Sequence, residues 1–156
     1  RWLKTFWVVC KLGDYMQHKK KYSIVTSNLK FDLDMSKYYD NIDKAQEALI
    51  SQIKTDTEQY VPAMHLTLSN SAHAENDNTE LVYSTPYARF QYMGKLMVDD
   101  RGSAYALKGT KKHVVDKNLV YGTERHPSAT SHWYEVAEER YKDSWIKLVK
   151  EIVTRG

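Results

Sequence analysis

Residues 35–60 read MSKYYDNIDKAQEALISQIKTDTEQY. Tyr39, Ile42, Ala45, Leu49, Ile53, Thr57 and Tyr60 recur every three or four residues, which places them on one stripe of a 3.6-residue helix. Asp40, Asp43, Lys44, Glu47, Gln52, Lys54, Asp56 and Glu58 fall between them as a solvated face. Asp34 or Ser36 can accept the orphan amide hydrogens at the start. Pro62 ends the run, because it lacks an amide hydrogen and disfavours helical geometry at Val61. The stretch predicts one long amphipathic helix.

Working outward, His65-Leu66-Thr67-Leu68-Ser69 alternates apolar and polar residues, which predicts a strand near Leu66. Glu75-Asn76-Asp77-Asn78 is a turn signal, and Glu80-Leu81-Val82-Tyr83-Ser84 is rich in strand-favouring residues. Together they predict an antiparallel hairpin. Thr85-Pro86 bends the chain before Tyr87–Tyr92, read as extended or as a single helical turn. Residues 94–122 carry Gly94, Gly102, Gly109 and Gly122 among charges, with short strand-like runs at Val114-Val115 and Leu119-Val120-Tyr121. That stretch reads as a long arm that orders on assembly.

The C-terminal pattern is again helical. Pro127 with Ser128 or Ser131 opens it, and Trp133, Val136, Ala137, Tyr141, Ser144, Trp145, Leu148 and Ile152 form its stripe to about Val153. Glu135, Glu138 and Glu139 lie early and Lys147, Lys150 and Arg155 late, complementing the helix dipole. Asp143 to Lys147 and Lys147 to Glu151 are spaced for ion pairing. The expected fold is α+β: a long N-terminal helix, a small antiparallel sheet with a long loop, and a long C-terminal helix.

The 156 residues suffice for one domain with a real core. Residues 1–30 hold Arg1, Lys4, Lys11, Lys19, Lys20, Lys21 and Lys30 against Asp14, a net +6. The remaining residues hold 16 bases and 19 acids, a net −3. The charge split divides the chain into a basic extension, 1–30, and a single α+β domain, 31–156. The extension also carries an apolar cluster (Trp2, Leu3, Phe6, Trp7, Val8, Val9, Leu12) before His18-Lys19-Lys20-Lys21. It reads either as a partner- or membrane-surface helix or as sequence upstream of the native start. The body lacks the basic footprint of a duplex-binding domain.

A single cysteine, Cys10, excludes an intrachain disulfide and a cysteine zinc site. The apolar run Phe6–Cys10 is far too short to span a membrane. Six histidines are present, and neither His65 and His73 near Glu75 nor the pair His126 and His132 makes a recognisable metal or acid–base motif. Asp99-Asp100-Arg101 reads as a charged turn before it reads as a cation site. No HExxH, GxSxG or phosphate-binding glycine loop occurs. No catalytic residue, cofactor or metal is expected, and no small-molecule substrate. Tyr83, Pro86, Tyr87, Arg89 and Tyr92, beside Phe90, instead form an aromatic, arginine-bearing bend of the kind that anchors protein interfaces. The same rings also suit a core packed beneath the two helices, with Tyr87 and Arg89 the natural outward members and Trp133 in the core.

Three stretches carry a resemblance. They are Gln59-Tyr60-Val61-Pro62 followed by Leu68-Ser69-Asn70-Ser71, then Val82-Tyr83-Ser84-Thr85-Pro86-Tyr87-Ala88-Arg89-Phe90-Gln91-Tyr92-Met93-Gly94, and His126-Pro127-Ser128-Ala129-Thr130-Ser131-His132-Trp133-Tyr134-Glu135-Val136-Ala137. In this order the chain resembles, over roughly residues 31–153, the phage minor capsid proteins of long-tailed bacteriophages, a group akin to head–tail connector and tail-completion proteins. The resemblance implies a virion structural protein assembled in the bacterial host cytoplasm. It implies a homo-oligomeric ring at the neck, touching other connector, capsid or tail proteins, with no membrane contact and DNA contact possible but not expected. Members place an acidic residue, a threonine and a glycine after Val-Pro. Here the run is Ala63-Met64-His65-Leu66-Thr67, so this turn is expected to differ. A competing class is a small nucleic-acid-binding protein that uses the basic N-terminal segment and Lys111-Lys112-His113. A small hydrolase or ribonuclease working through His126 and His132 is a third.

Overall fold

A computed structural model describes residues 8–11, 21–26, 29–105 and 109–155. The order of elements is β1 (Val8–Lys11), β2 (Lys21–Thr26), β3 (Leu29–Asp34), α1 (Ser36–Glu58), α2 (Thr67–Asn70), β4 (Ala72–Glu75), β5 (Glu80–Tyr83), α3 (Ala88–Met93), β6 (Lys95–Val98), β7 (His113–Asn118) and α4 (Trp133–Thr154). The fold is α+β, with both long helices where the apolar periodicity puts them.

The stripes of α1 and α4 face each other. Trp145 Nε1 donates to Asp56 at 2.7 Å, Gln59 to the Tyr141 hydroxyl at 2.9 Å, and Arg140 to the Tyr60 hydroxyl at 2.9 Å. Numbers rise along one helix as they fall along the other, so the pair is antiparallel. Ile50, Ile53 and Tyr60 meet Ala137 and Trp145 in one core with Val61, Leu68, Leu81, Tyr83 and Trp133. The exposed polar positions of α1 lie opposite, as its sequence requires. At its start the Asp34 carboxylate accepts the Ser36 amide at 2.9 Å from one residue outside the cap. At its end, Tyr60 N to Thr57 O and Val61 N to Glu58 O tighten the chain toward Pro62.

The strand expected near Leu66 is absent. Asn70 N donates to Leu66 O and Ser71 N to Thr67 O, closing the helical turn α2 with Leu68 and Ser69 both buried. Two successive buried residues suit a turn lodged against a core and contradict strand alternation. Leu66 itself adopts φ 56°, a left-handed conformation for which glycine is the default. The departure in sequence after Val61-Pro62 therefore falls on a strained residue.

The hairpin itself is present as β4 and β5, with Ala72 opposite Tyr83 and Glu75 opposite Glu80. Asn76, Asp77 and Asn78 all take positive φ in its turn, as their residue types tolerate. On the other edge of β5 lies β1, Val8 opposite Tyr83 and Lys11 opposite Glu80. The three-stranded sheet, order β1-β5-β4, thus takes a strand from the basic extension set apart by charge. The rest of the apolar and basic clusters of that extension, apart from Lys21, lies outside the described residues.

Strands β2 and β3 pair separately from Lys21–Asp34 to Thr26–Leu29. Phe31 and Leu33 lie exposed on one face, and Lys21–Asp34 and Lys30–Asp32 ion pairs lie on the other. Residues 94–122, read as an irregular arm, contain a third antiparallel sheet, β6–β7, with Val98 opposite His113 and Lys95 opposite Asn118. Val114 and Val115 are strand residues as expected, whereas Leu119–Tyr121 are not. No helix among the described residues is long and apolar enough to cross a membrane.

The Asp34 carboxyl is lowered to about 2 by its hydrogen bonds to Ser36 and its ion pair with Lys21. Its contribution to the β3–α1 junction is full above the ordinary carboxylate range, near pH 4. It is lost as pH falls from about 4 through about 2. The protection factor of the Ser36 amide, taken against an unstructured chain at the same pH, is expected to fall across that window in the wild type and to stay flat in Asp34→Asn.

Candidate interface

Tyr83, Pro86, Tyr87, Arg89 and Tyr92 do not share one environment. Tyr83 is buried, stacked edge-on against Trp133 at 5.4 Å, with its hydroxyl 3.5 Å from that of Thr57. Its inward position follows from β5, whose last three residues are all buried beneath the helices. Tyr83 is therefore a core residue and belongs to no outer surface. Tyr92 is half-buried, edge-on to Trp133 at 4.7 Å, and its hydroxyl donates to Glu135. It joins α3 to the first turn of α4. Pro86, Tyr87 and Arg89 stand exposed on the bend.

Tyr87, just before α3, and Gln91 within it form one wall of an open groove of about 380 Å³. The segment from Pro62 to Leu68 forms the second wall, and Leu119–Gly122 the third. Each wall is held in place by a definite bond. The Tyr121 hydroxyl donates to Gln91 O at 2.5 Å, and burial pushes that phenol up from its usual range. Leu119 N donates to Gly94 O. His126 Nδ1 bonds Val61 O at 2.7 Å. A carbonyl only accepts, so this nitrogen carries the proton. The rim is apolar and uncovered: Met64 is 76 % exposed, Val120 95 % and Tyr87 41 %.

The other residues singled out in the sequence have structural surroundings. His73 bonds Ser71 O and Glu75, and no cluster of three metal-ligating groups occurs among the described residues. His126 is tied to Val61, while His132 sits at φ 51° before α4 with its ring against Tyr92 and its amide on Tyr92 O. Asp99 is 1 % exposed. Arg101 grips one carboxylate oxygen through Nε and Nη2 at 3.1 and 2.7 Å, and the amides of Arg101 and Ser103 hold the other. These contacts hold its carboxyl below the usual range, the Arg101 bonds contributing most. The charged turn is a closed structural unit.

Sequence reasoning missed the groove, because its three walls are separated by some twenty to thirty residues each and only Tyr87 belonged to the aromatic bend. It also missed β2–β3, although Tyr22–Thr26 and Leu29–Asp34 alternate around the two residues Ser27-Asn28, a legible hairpin signal.

No curated protein and no solved structure matches the chain. A family model described as minor capsid protein matches residues 25–152, which spans both long helices, the bend and all three walls of the groove. The chain accordingly belongs to the phage minor capsid protein family and is a structural protein of the bacteriophage virion.

Proposed function

We propose that this protein works at the head–tail connector, in neck assembly or tail completion, as a homo-oligomeric ring assembled in the host cytoplasm. The observation that carries the reading is the uncovered apolar rim formed by Met64, Tyr87 and Val120 around the groove. Exposed apolar side chains gathered around one groove suit a contact site. A second copy of the chain is its occupant. Closed rings need two different patches per subunit, and the groove supplies one. The exposed apolar face of β3, with Phe31 and Leu33, supplies the other from the opposite end of α1. The 23 residues of that helix separate the two by about 34 Å, too far for one copy to satisfy both within itself. Pro86, Tyr87 and Arg89 border the contact, and other capsid or tail proteins bind the faces of the ring. The role is assembly, without catalysis.

Tyr87→Glu combined with Val120→Glu places two charges on the rim without touching the core. The ring is expected to dissociate, with subunit affinity weakened at least about 30-fold, the loss of one interface anchor. Circular dichroism should remain that of the wild type. Native mass spectrometry of the two proteins checks this. A wild type that stays monomeric at all concentrations and with connector partners present, or gold-labelled antibody binding away from the virion neck, overturns the reading.

A further inference from the structure

Among the described residues, the large apolar side chains that stand exposed gather at two places. Met64, Tyr87 and Val120 surround the groove. Phe31, 50 % exposed, and Leu33, 40 % exposed, share one face of the β2–β3 hairpin. The others are spread over α1, α3, β7, α4 and the loop at Tyr105. The length of α1 keeps the hairpin away from its own groove, so the groove within its reach belongs to another copy.

The two places have opposite shape and matching chemistry. The groove is concave. The hairpin is a projection, since every residue from Lys30 to Asp34 is exposed. Its register sets Ile24 opposite Phe31 and Tyr22 opposite Leu33, which makes one face apolar on both strands. A two-stranded sheet alone is marginally stable in water, so such a face gains by being covered. The hairpin's charges do not obstruct that. Lys21 pairs with Asp34 and Lys30 with Asp32, all on the reverse face. The groove in turn is lined by no Asp, Glu, Lys or Arg among the described residues. Docking the apolar face therefore strands no unpaired charge. A nucleic-acid backbone or an acidic peptide would meet no side-chain cation there, so the groove fits an uncharged apolar insert. The hairpin is also aimed in advance. Only Met35 separates β3 from α1, and the Ser36 amide donates to Asp34 across that junction at 2.9 Å.

We propose that the β2–β3 hairpin of one subunit inserts its Phe31–Leu33 face into the groove of the next, against Met64, Tyr87 and Val120. This rests on the self-association proposed above and names the element that performs it. A hairpin in a groove is a heterologous contact, which leaves a free groove at one end of a pair and a free hairpin at the other. Hairpin against hairpin would leave both grooves uncovered, and groove against groove would leave two concave surfaces unfilled.

The test is complementation between two variants of the full chain. Phe31→Asp with Leu33→Asp spoils the hairpin face and leaves the groove intact, whereas Tyr87→Glu with Val120→Glu does the reverse. Each variant alone is expected to be monomeric by native mass spectrometry, its self-affinity weakened at least about 30-fold. Mixed in equal amounts they are expected to form a heterodimer and nothing larger, because each pair holds one good hairpin and one good groove. Cross-linking gives a second measurement that spares the hairpin's apolar face. In a Cys10→Ser background, Lys30→Cys on one subunit and Val120→Cys on another are expected to join through a bismaleimide when mixed, and neither to join to itself. A mixture of folded variants that stays monomeric, a hairpin variant that still assembles, or Lys30→Cys that cross-links to itself overturns the proposal. Wild-type chains that associate head to tail without closing keep this contact and overturn the ring. A wild-type ring with no cross-link between the two sites keeps the ring and overturns this contact, and a wild type that is monomeric at all concentrations overturns both.

Discussion

Trp133→Ala is expected to destabilise the protein by about 3–5 kcal/mol, the ordinary loss for a large aromatic removed from a packed interior. Trp133 is 1 % exposed and opens α4. Its ring meets Tyr83 from β5 and Tyr92 from α3, both edge-on, at 5.4 and 4.7 Å. One side chain therefore joins α4 to two elements that lie some forty to fifty residues earlier in the chain. Truncation leaves a cavity between them that the backbone cannot close, because α4 is fixed along its length by the Trp145–Asp56 and Arg140–Tyr60 bonds. Set against a domain stability of about 5–15 kcal/mol, the loss is a large share of the whole. Urea unfolding of the two proteins measures it. A change below about 1 kcal/mol shows that the Tyr83–Trp133–Tyr92 stack is not central to the core.

Gly94→Ala is the second. Gly94 follows α3 at φ 66°, where a non-glycine residue costs about 1–2 kcal/mol. A methyl group there also stands 2.9 Å from Ser131 Cβ and 3.3 Å from the Tyr121 hydroxyl. Ser131 Cβ is fixed to its backbone and cannot swing away. That backbone is pinned by the bonds Thr130 N to Tyr60 O and His132 N to Tyr92 O. Overpacking adds about 1–3 kcal/mol, for a total of about 2–5. Ser131→Gly removes the closest contact and leaves the backbone strain. Gly94→Ala is therefore expected to cost about 1–2 kcal/mol less in that background than in the wild type. Thermal melts of the four proteins close the cycle. Strict additivity would show that the close approach of α3 to the start of α4 carries no energy.

The bend itself divides along the same lines. Its composition suited both a contact surface and a core, and α3 now separates its members. Tyr83 enters the core because it ends a strand buried on both faces, and Tyr92 braces α4, while Pro86, Tyr87 and Arg89 remain outside. Aromatic residues are equally at home in a core and at an interface, so composition alone leaves the two roles open. The same holds for His126 and His132, whose residue type fits acid–base chemistry and whose surroundings tie them to Val61 O and Tyr92.

Local information determined a great deal. The 3.6-residue spacing of Tyr39 through Tyr60 and of Trp133 through Ile152 defines two helices, since each stripe has to be buried whatever the rest of the chain does. Asn76-Asp77-Asn78 defines the β4–β5 turn, since those residues tolerate positive φ. Only the tertiary structure decided the rest. Leu68 and Ser69 form a turn where alternation read as a strand, because a core already built from α1 and β5 buries both at once. Strand β1 joins β5 across some seventy residues of intervening chain, and three distant segments enclose the groove. Pairings and walls of that kind depend on contacts between remote residues, which no periodicity within a short window encodes.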